Sequence, residues 1–202
     1  MNIVYKNIRH GYARIDKDGQ LLITIPLSKK WNQKFEDSLI QKAEALLKRY
    51  SKRTHIDPIQ KDNIMLFGEE VPLEEFYKQH PHIKTKPSTW NLPPFTSKIL
   101  KKILEDYATP LFDLYSKKLW IPYKKLSIRK TNSKRGSCTH DQKFSLNLDL
   151  IYLSTKYIKY VIIHEACHLK VKNHSAKFRA LVESFCPEYK QTRKELRKFI
   201  IK

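Results

Sequence analysis

The feature that most constrains this chain is a His-Glu-Ala-Cys-His pentad, residues 164–168, set directly after the apolar run Tyr160-Val161-Ile162-Ile163 and before Leu169. The spacing predicts a helix. Four residues make just over one helical turn, so His164 and His168 project from one face and can grip one ion. Glu165 lies about 100° around from His164, beside the ligands, where a carboxylate can reach a water activated by the ion. The composition, with 8 His in 202 residues, yields such a motif by chance in roughly one chain in fifty. The bland alternative is an amphipathic helix with surface histidines. The apolar flanks argue against it, because unpartnered His and Glu on a core helix are costly to bury and a metal offsets that cost.

His174 follows His168 by six residues, after Lys170-Val171-Lys172-Asn173. Asn tolerates the left-handed conformation that ends helices, so the chain is expected to leave the helix at Asn173 and bring His174 back to the metal. Three imidazoles suit Zn²⁺ and leave its fourth position for water or substrate. The expectation is one zinc per chain on His164, His168 and His174, with Glu165 as general base. The metzincins share the spacing, but with Gly where this chain has Val171, and they need a downstream methionine turn. The methionines here are Met1 and Met65.

Around this motif the chain reads as α+β. Residues 3–8, 12–15 and 21–26 suggest strands, with Asp18-Gly19 as a hairpin signal. A helix is expected over 34–50, with Phe35, Leu39, Ala43, Leu46, Leu47 and Tyr50 on one face. Residues 64–73 read as a strand pair turning at Gly68. The proline-rich stretch 81–94 reads as a crossing segment between an N-terminal portion, 1–80, and a catalytic portion, 95–202. Residues 97–120 read as helix, with Pro110 starting a second helix or kinking the first. Residues 125–130 and 143–148 alternate as strands joined by a loop, and the later one is expected to offer an exposed edge to an extended peptide. Helices are expected from Ser154 or Thr155 to about Val171, from Ser175 burying Phe178, Leu181, Val182 and Phe185, and after Pro187 with Tyr189, Leu196 and Phe199 inward.

The segment HEACHLKVKNHSAKF, Pro187-Glu188-Tyr189-Lys190 with its basic final helix, and the upstream residues Arg129, Gly136-Ser137-Cys138 and Leu146-Asn147-Leu150 together resemble the YgjP-like metallopeptidase family. This is a zincin-like group related to the SprT and WLM proteases, and the resemblance is strongest over residues 120–200. It implies a zincin-like fold with a small antiparallel sheet, zinc on the three histidines, Glu165 as catalytic residue and an active-site strand from residues 126–148. It also raises Arg129 and Asn147 as candidates for substrate binding, although Asn147 reads equally as a turn cap. Where the family usually has Trp before Gly-Ser-Cys, this chain has Arg135, which changes the packing of that loop. Cys138 reads either as a packed side chain or as an inhibitory fourth ligand, and Cys167 as a core residue.

Composition adds a second theme. Forty Lys and Arg against 20 Asp and Glu leave a net charge of +20, which attracts polyanions and acidic proteins and says nothing of fold. Besides a peptidase, this keeps two readings open. One is a zinc hydrolase acting on phosphate-bearing or DNA-associated substrates. The other is a basic nucleic-acid-binding module whose zinc is structural and closed by Cys138. Three sparse cysteines suit a reducing cytoplasm, and neither a signal peptide nor a transmembrane run is visible. Protein or peptide is the expected substrate, nucleic acid an optional partner and a membrane none; the sequence carries no signal for oligomeric state.

Overall fold

The computed structural model describes residues 2–16, 19–60, 62–81, 94–131 and 134–201. The chain forms two compact units, residues 1–55 with 198–200, and residues 56–197. Asp18 of the expected hairpin and residues 82–93 of the proline-rich stretch lie outside the described residues.

The first unit opens with β1 (Asn2–Lys6), β2 (Tyr12–Ile15) and β3 (Leu21–Pro26), ordered β1-β3-β2. β1 runs parallel to β3, and β2 antiparallel to it. Helix α1 (Gln33–Ser51) follows, started by Asn32, whose side chain accepts the Phe35 N–H at 3.1 Å, so that one exposed backbone donor is satisfied. Its apolar face joins Leu39 and Ala43 to Leu21, Ile23 and Ile25 in one buried cluster. Each fully buried Leu or Ile there contributes roughly 1.5–3 kcal/mol. After α1 comes β4 (Thr54–Ile56), which pairs with the last strand, β11 (Phe199–Ile201). The final helix therefore does not carry Phe199 inward: β-branched Ile200 and Ile201 follow it, and residues 199–201 are extended.

The second unit begins with β5 (Ile59–Gln60), β6 (Asn63–Leu66), β7 (Glu69–Pro72) and the short α2 (Leu73–Gln79). β6 and β7 form the expected hairpin, with Gly68 at φ 86°. This hairpin belongs with the later residues: Phe67 N–H donates to Ile151 O at 2.6 Å, and a Cβ on Gly68 would meet Ser154 Cα at 2.9 Å. Helix α3 (Pro94–Leu119) passes through Pro110 without starting a second helix. Pro110 sits on the exposed side of the helix, where the missing backbone bond is less costly than in the core.

Then come β8 (Lys125–Arg129), β9 (Gly136–Cys138) and β10 (Lys143–Asn147), ordered β8-β10-β9. The expected antiparallel pair is a mixed sheet: β10 runs parallel to β8 and antiparallel to β9. Part of the expected loop is thus a strand. β10 is central, so the edges belong to β8 and β9, not to residues 143–148. A 3₁₀ turn at Leu148–Tyr152 leads into α4 (Thr155–Lys170), followed by α5 (Ala176–Phe185) and α6 (Tyr189–Leu196). α4 is the centre of the unit, against α3, α5, α6 and β9. It buries Ile158, Val161, Ile162, Ile163, Ala166, Cys167 and Leu169, so Cys167 is a core residue. Phe112 of α3 stacks on Phe144 of β10 with ring centroids 4.3 Å apart.

Candidate metal centre

His164, Glu165 and His168 all lie on α4. The helix ends at Lys170, two residues after His168, but not as expected. Asn173 is not left-handed; instead Val171 turns extended at φ −129°, ψ 109°, as its β-branched side chain prefers, while its N–H still donates to Cys167 O at 3.0 Å. The Asn173 side chain then accepts the Ser175 N–H at 3.3 Å, and Ser175 accepts the Phe178 N–H at 3.5 Å to start α5. This tight turn returns His174 to its partners. Arg179, one turn into α5, holds it there by donating from Nη1 to His174 O at 3.0 Å.

The three imidazoles converge. One nitrogen from each of His164, His168 and His174 lies within 4.8 Å of the others. His164 Nε2 and His174 Nε2 are 3.1 Å apart, close to the roughly 3.3 Å that two bonds of about 2.0–2.1 Å to one tetrahedral ion require. His168 Nδ1 is 3.0 Å from Val171 O. A carbonyl only accepts, so Nδ1 carries the proton and Nε2 is left as the donor, the outer hydrogen bond expected of a metal-binding histidine. Phe178 underlies all three rings: it stacks on His168 at 4.3 Å and meets His164 and His174 edge-on at 4.9 Å each. Burial, followed by the neighbouring histidines, holds the His164 imidazole down to about 4, and burial also lowers His168. Neutral imidazoles are what a metal ion needs, and the residues present fit one.

Glu165 is 7% exposed. Burial pushes its carboxyl up to about 7, against the pull of Lys134. It rests against the start of β9, where a methyl group on Gly136 would sit 2.8 Å from Glu165 Cγ and 2.9 Å from its Oε1. Gly136 therefore makes room for the carboxylate. The spacing of the histidines gave no hint of this; the signal was a lone glycine opening a three-residue strand.

The remaining candidates divide. Asn147 sends its amide N–H groups to Thr131 O at 2.8 Å and Lys134 O at 3.2 Å, while its carbonyl accepts from Asp149 N and Thr131 N. Its hydrogen-bonding capacity is taken up in holding the loop before β9, which is the turn-capping role. Arg129 is exposed at the end of β8, on the far side of β10 from β9, and the structure does not bring it together with the histidines. Arg135 Nη2 donates to Leu196 O at 3.2 Å and so ties the Gly-Ser-Cys strand to the end of α6. Cys138 is half-buried and does not belong to the converging donors. Arg179, Arg193 and Tyr160, which spacing did not single out, line a pocket beside His164 and His174.

No curated protein matches this chain. Solved structures do, among them the metallopeptidase zymogen abylysin of Pyrococcus abyssi, at 22% identity and TM-score 0.41, covering 44% of this chain and 90% of that one, and the metallopeptidase zymogen jannalysin of Methanocaldococcus jannaschii, at 20% identity and TM-score 0.40, covering 44% and 92%. The family model of the YgjP-like metallopeptidase domain matches residues 9–199. With nearly the whole sequence inside that match, and a histidine cluster able to hold a metal ion in its final third, the chain belongs to the YgjP-like metallopeptidase family.

Proposed function

We propose that this metallopeptidase is a zinc enzyme in which His164, His168 and His174 hold the ion and Glu165 is the general base. One observation carries the reading: three imidazole nitrogens lie within 4.8 Å of one another, and the next residue after His164 is a buried carboxyl raised to about 7. When bound, zinc supplies a Lewis acid that polarises the scissile carbonyl and acidifies water.

The chain's own groups do the rest. A Glu165 carboxylate oxygen takes a proton from the attacking water as the water's oxygen bonds to the carbonyl carbon. The same oxygen then delivers that proton to the departing amine nitrogen as the C–N bond breaks. Burial of Glu165 beneath β9 keeps bulk water from competing for the proton. β9 is an edge strand whose partner among the described residues is β10, and its outer edge is suited to pairing with an extended peptide. Three unpaired cysteines support a place in the reducing cytoplasm.

The test compares metal content and peptide hydrolysis in wild type and Glu165→Gln. The variant should keep its metal and lose at least about 10³-fold in kcat/KM, within the range of general acid–base catalysis. Full activity in the variant overturns the mechanism.

A further inference from the structure

A pocket of about 110 Å³ opens directly beside the metal centre, with His164 and His174 in its wall and Tyr160 and Phe178 as aromatic lining. Two cations enter it, Arg179 from α5 and Arg193 from α6, and none of its lining residues is an acid. The nearest carboxylates on these helices are engaged elsewhere. Glu183 pairs with Lys190 at 3.2 Å, and Glu195 with Lys156 at 3.1 Å. Among the described residues, neither guanidinium has a carboxylate at ion-pair distance. Arg179 spends one nitrogen on His174 O, which leaves its other N–H groups, and the whole fork of Arg193, for an incoming acceptor.

A small, aromatic-walled pocket with two guanidiniums and no internal acid is matched by a planar anion of carboxylate size, and paired N–H donors bind that shape bidentately. Its wall includes two of the metal's ligands, so a group seated in it belongs to the residue next to the bond being cut. Resting on the peptidase reading, we propose that this pocket is the specificity subsite of the enzyme and takes a peptide carboxylate flanking the scissile bond. That carboxylate is either an acidic side chain or the chain's own C-terminus. The net charge of +20 draws the same class of substrate toward the protein from a distance.

The test uses metal-loaded full-length enzyme and a peptide set with Glu, Asp, Gln or Leu at each position flanking the bond, each with a free or amidated C-terminus. A carboxylate in the pocket should raise kcat/KM about tenfold over the matching amide, the scale of a charge-assisted hydrogen bond. Arg193→Gln should bring that ratio to about one. Arg193 is the better probe, because Arg179 also holds the His174 turn. Preference for Glu or Asp regardless of the terminus identifies a side-chain subsite, and preference for the free terminus identifies chain-end recognition. Equal rates for Glu and Gln, and for free and amidated ends, overturn the proposal and leave the peptidase reading standing. No cleavage of any peptide overturns that reading instead. Binding then decides the pocket: fluorescence anisotropy of labelled Glu and Gln peptides on Glu165→Gln protein should show about tenfold tighter binding of the acidic peptide, abolished by Arg193→Gln, and equal affinities reject the subsite.

Discussion

In two of the three-stranded sheets, β1-β3-β2 and β8-β10-β9, the first and third strands in chain order run parallel, the second returns antiparallel to the third, and a helix follows that lies against the second strand. Each second strand begins beside a glycine that faces a helix side chain. At Gly11, ahead of β2, an added Cβ would meet Leu39 Cδ2 of α1 at 3.0 Å and the Phe35 ring at 3.1 Å. At Gly136, opening β9, it would meet the carboxylate-bearing side chain of Glu165 on α4. The arrangement of backbone is the same and the occupant differs. In the first sheet the space is filled by hydrocarbon, and closing it only adds to a core. In the second it shelters an acid whose proton affinity is raised because water has been removed. The chemistry is therefore a property of what the helix presents, and the sheet serves as a common support.

Methylating each glycine separates the two cases. On the proposed mechanism, Gly136→Ala should lower kcat/KM by about 10²-fold with metal content retained, because a displacement of about 1 Å at the proposed general base costs that much. Unchanged kinetics would mean that Gly136 does not seat Glu165. An effect of similar size is expected in the metal-free protein from the raised carboxyl. Its folded value, about 7, exceeds the ordinary 4.5, so the folded state holds the proton more tightly than the unfolded one. Stability from this group is therefore fully present below about 4.5 and falls as pH rises to about 7. Glu165→Gln should abolish that fall, making the variant the more stable by about 3 kcal/mol at pH 8 and near parity at pH 4, on the scale of 1.36 kcal/mol per pKa unit. Denaturant melts at the two pH values read it directly, and a pH-independent difference would remove burial as the cause. The smallest effect belongs to Gly11→Ala, where Leu39 and Phe35 must yield a few tenths of an ångström. It should cost about 1 kcal/mol in unfolding free energy and leave hydrolysis within twofold; a large kinetic effect would break the contrast.

How much of this was legible in the sequence follows from distance along the chain. The three histidines were readable because helical spacing and a six-residue return are local, even though the turn is made by an extended Val171 and not a left-handed Asn173. The β6–β7 hairpin was readable from Gly68 for the same reason. β9 was not: Gly136, Ser137 and Cys138 show no alternation, and their pairing is imposed by β10. Nor was the parallel register of β8 with β10, which depends on contacts between residues about eighteen apart. Phe199 matched the helical period but went to a strand whose partner, Thr54–Ile56, lies far back in the chain. Arg179 and Arg193 looked like two more members of a large basic excess until α5 and α6 brought them to one pocket.

Phe178 carries a consequence of its own. It is 2% exposed, anchored in α5 by ordinary core packing, and every one of the three imidazoles leans on it. The coordination sphere thus has a floor built by the same force that folds the protein, and an arriving ion finds its donors gathered instead of having to collect them. On the proposed assignment of the three imidazoles, less ordering of side chains is then left for the binding step itself.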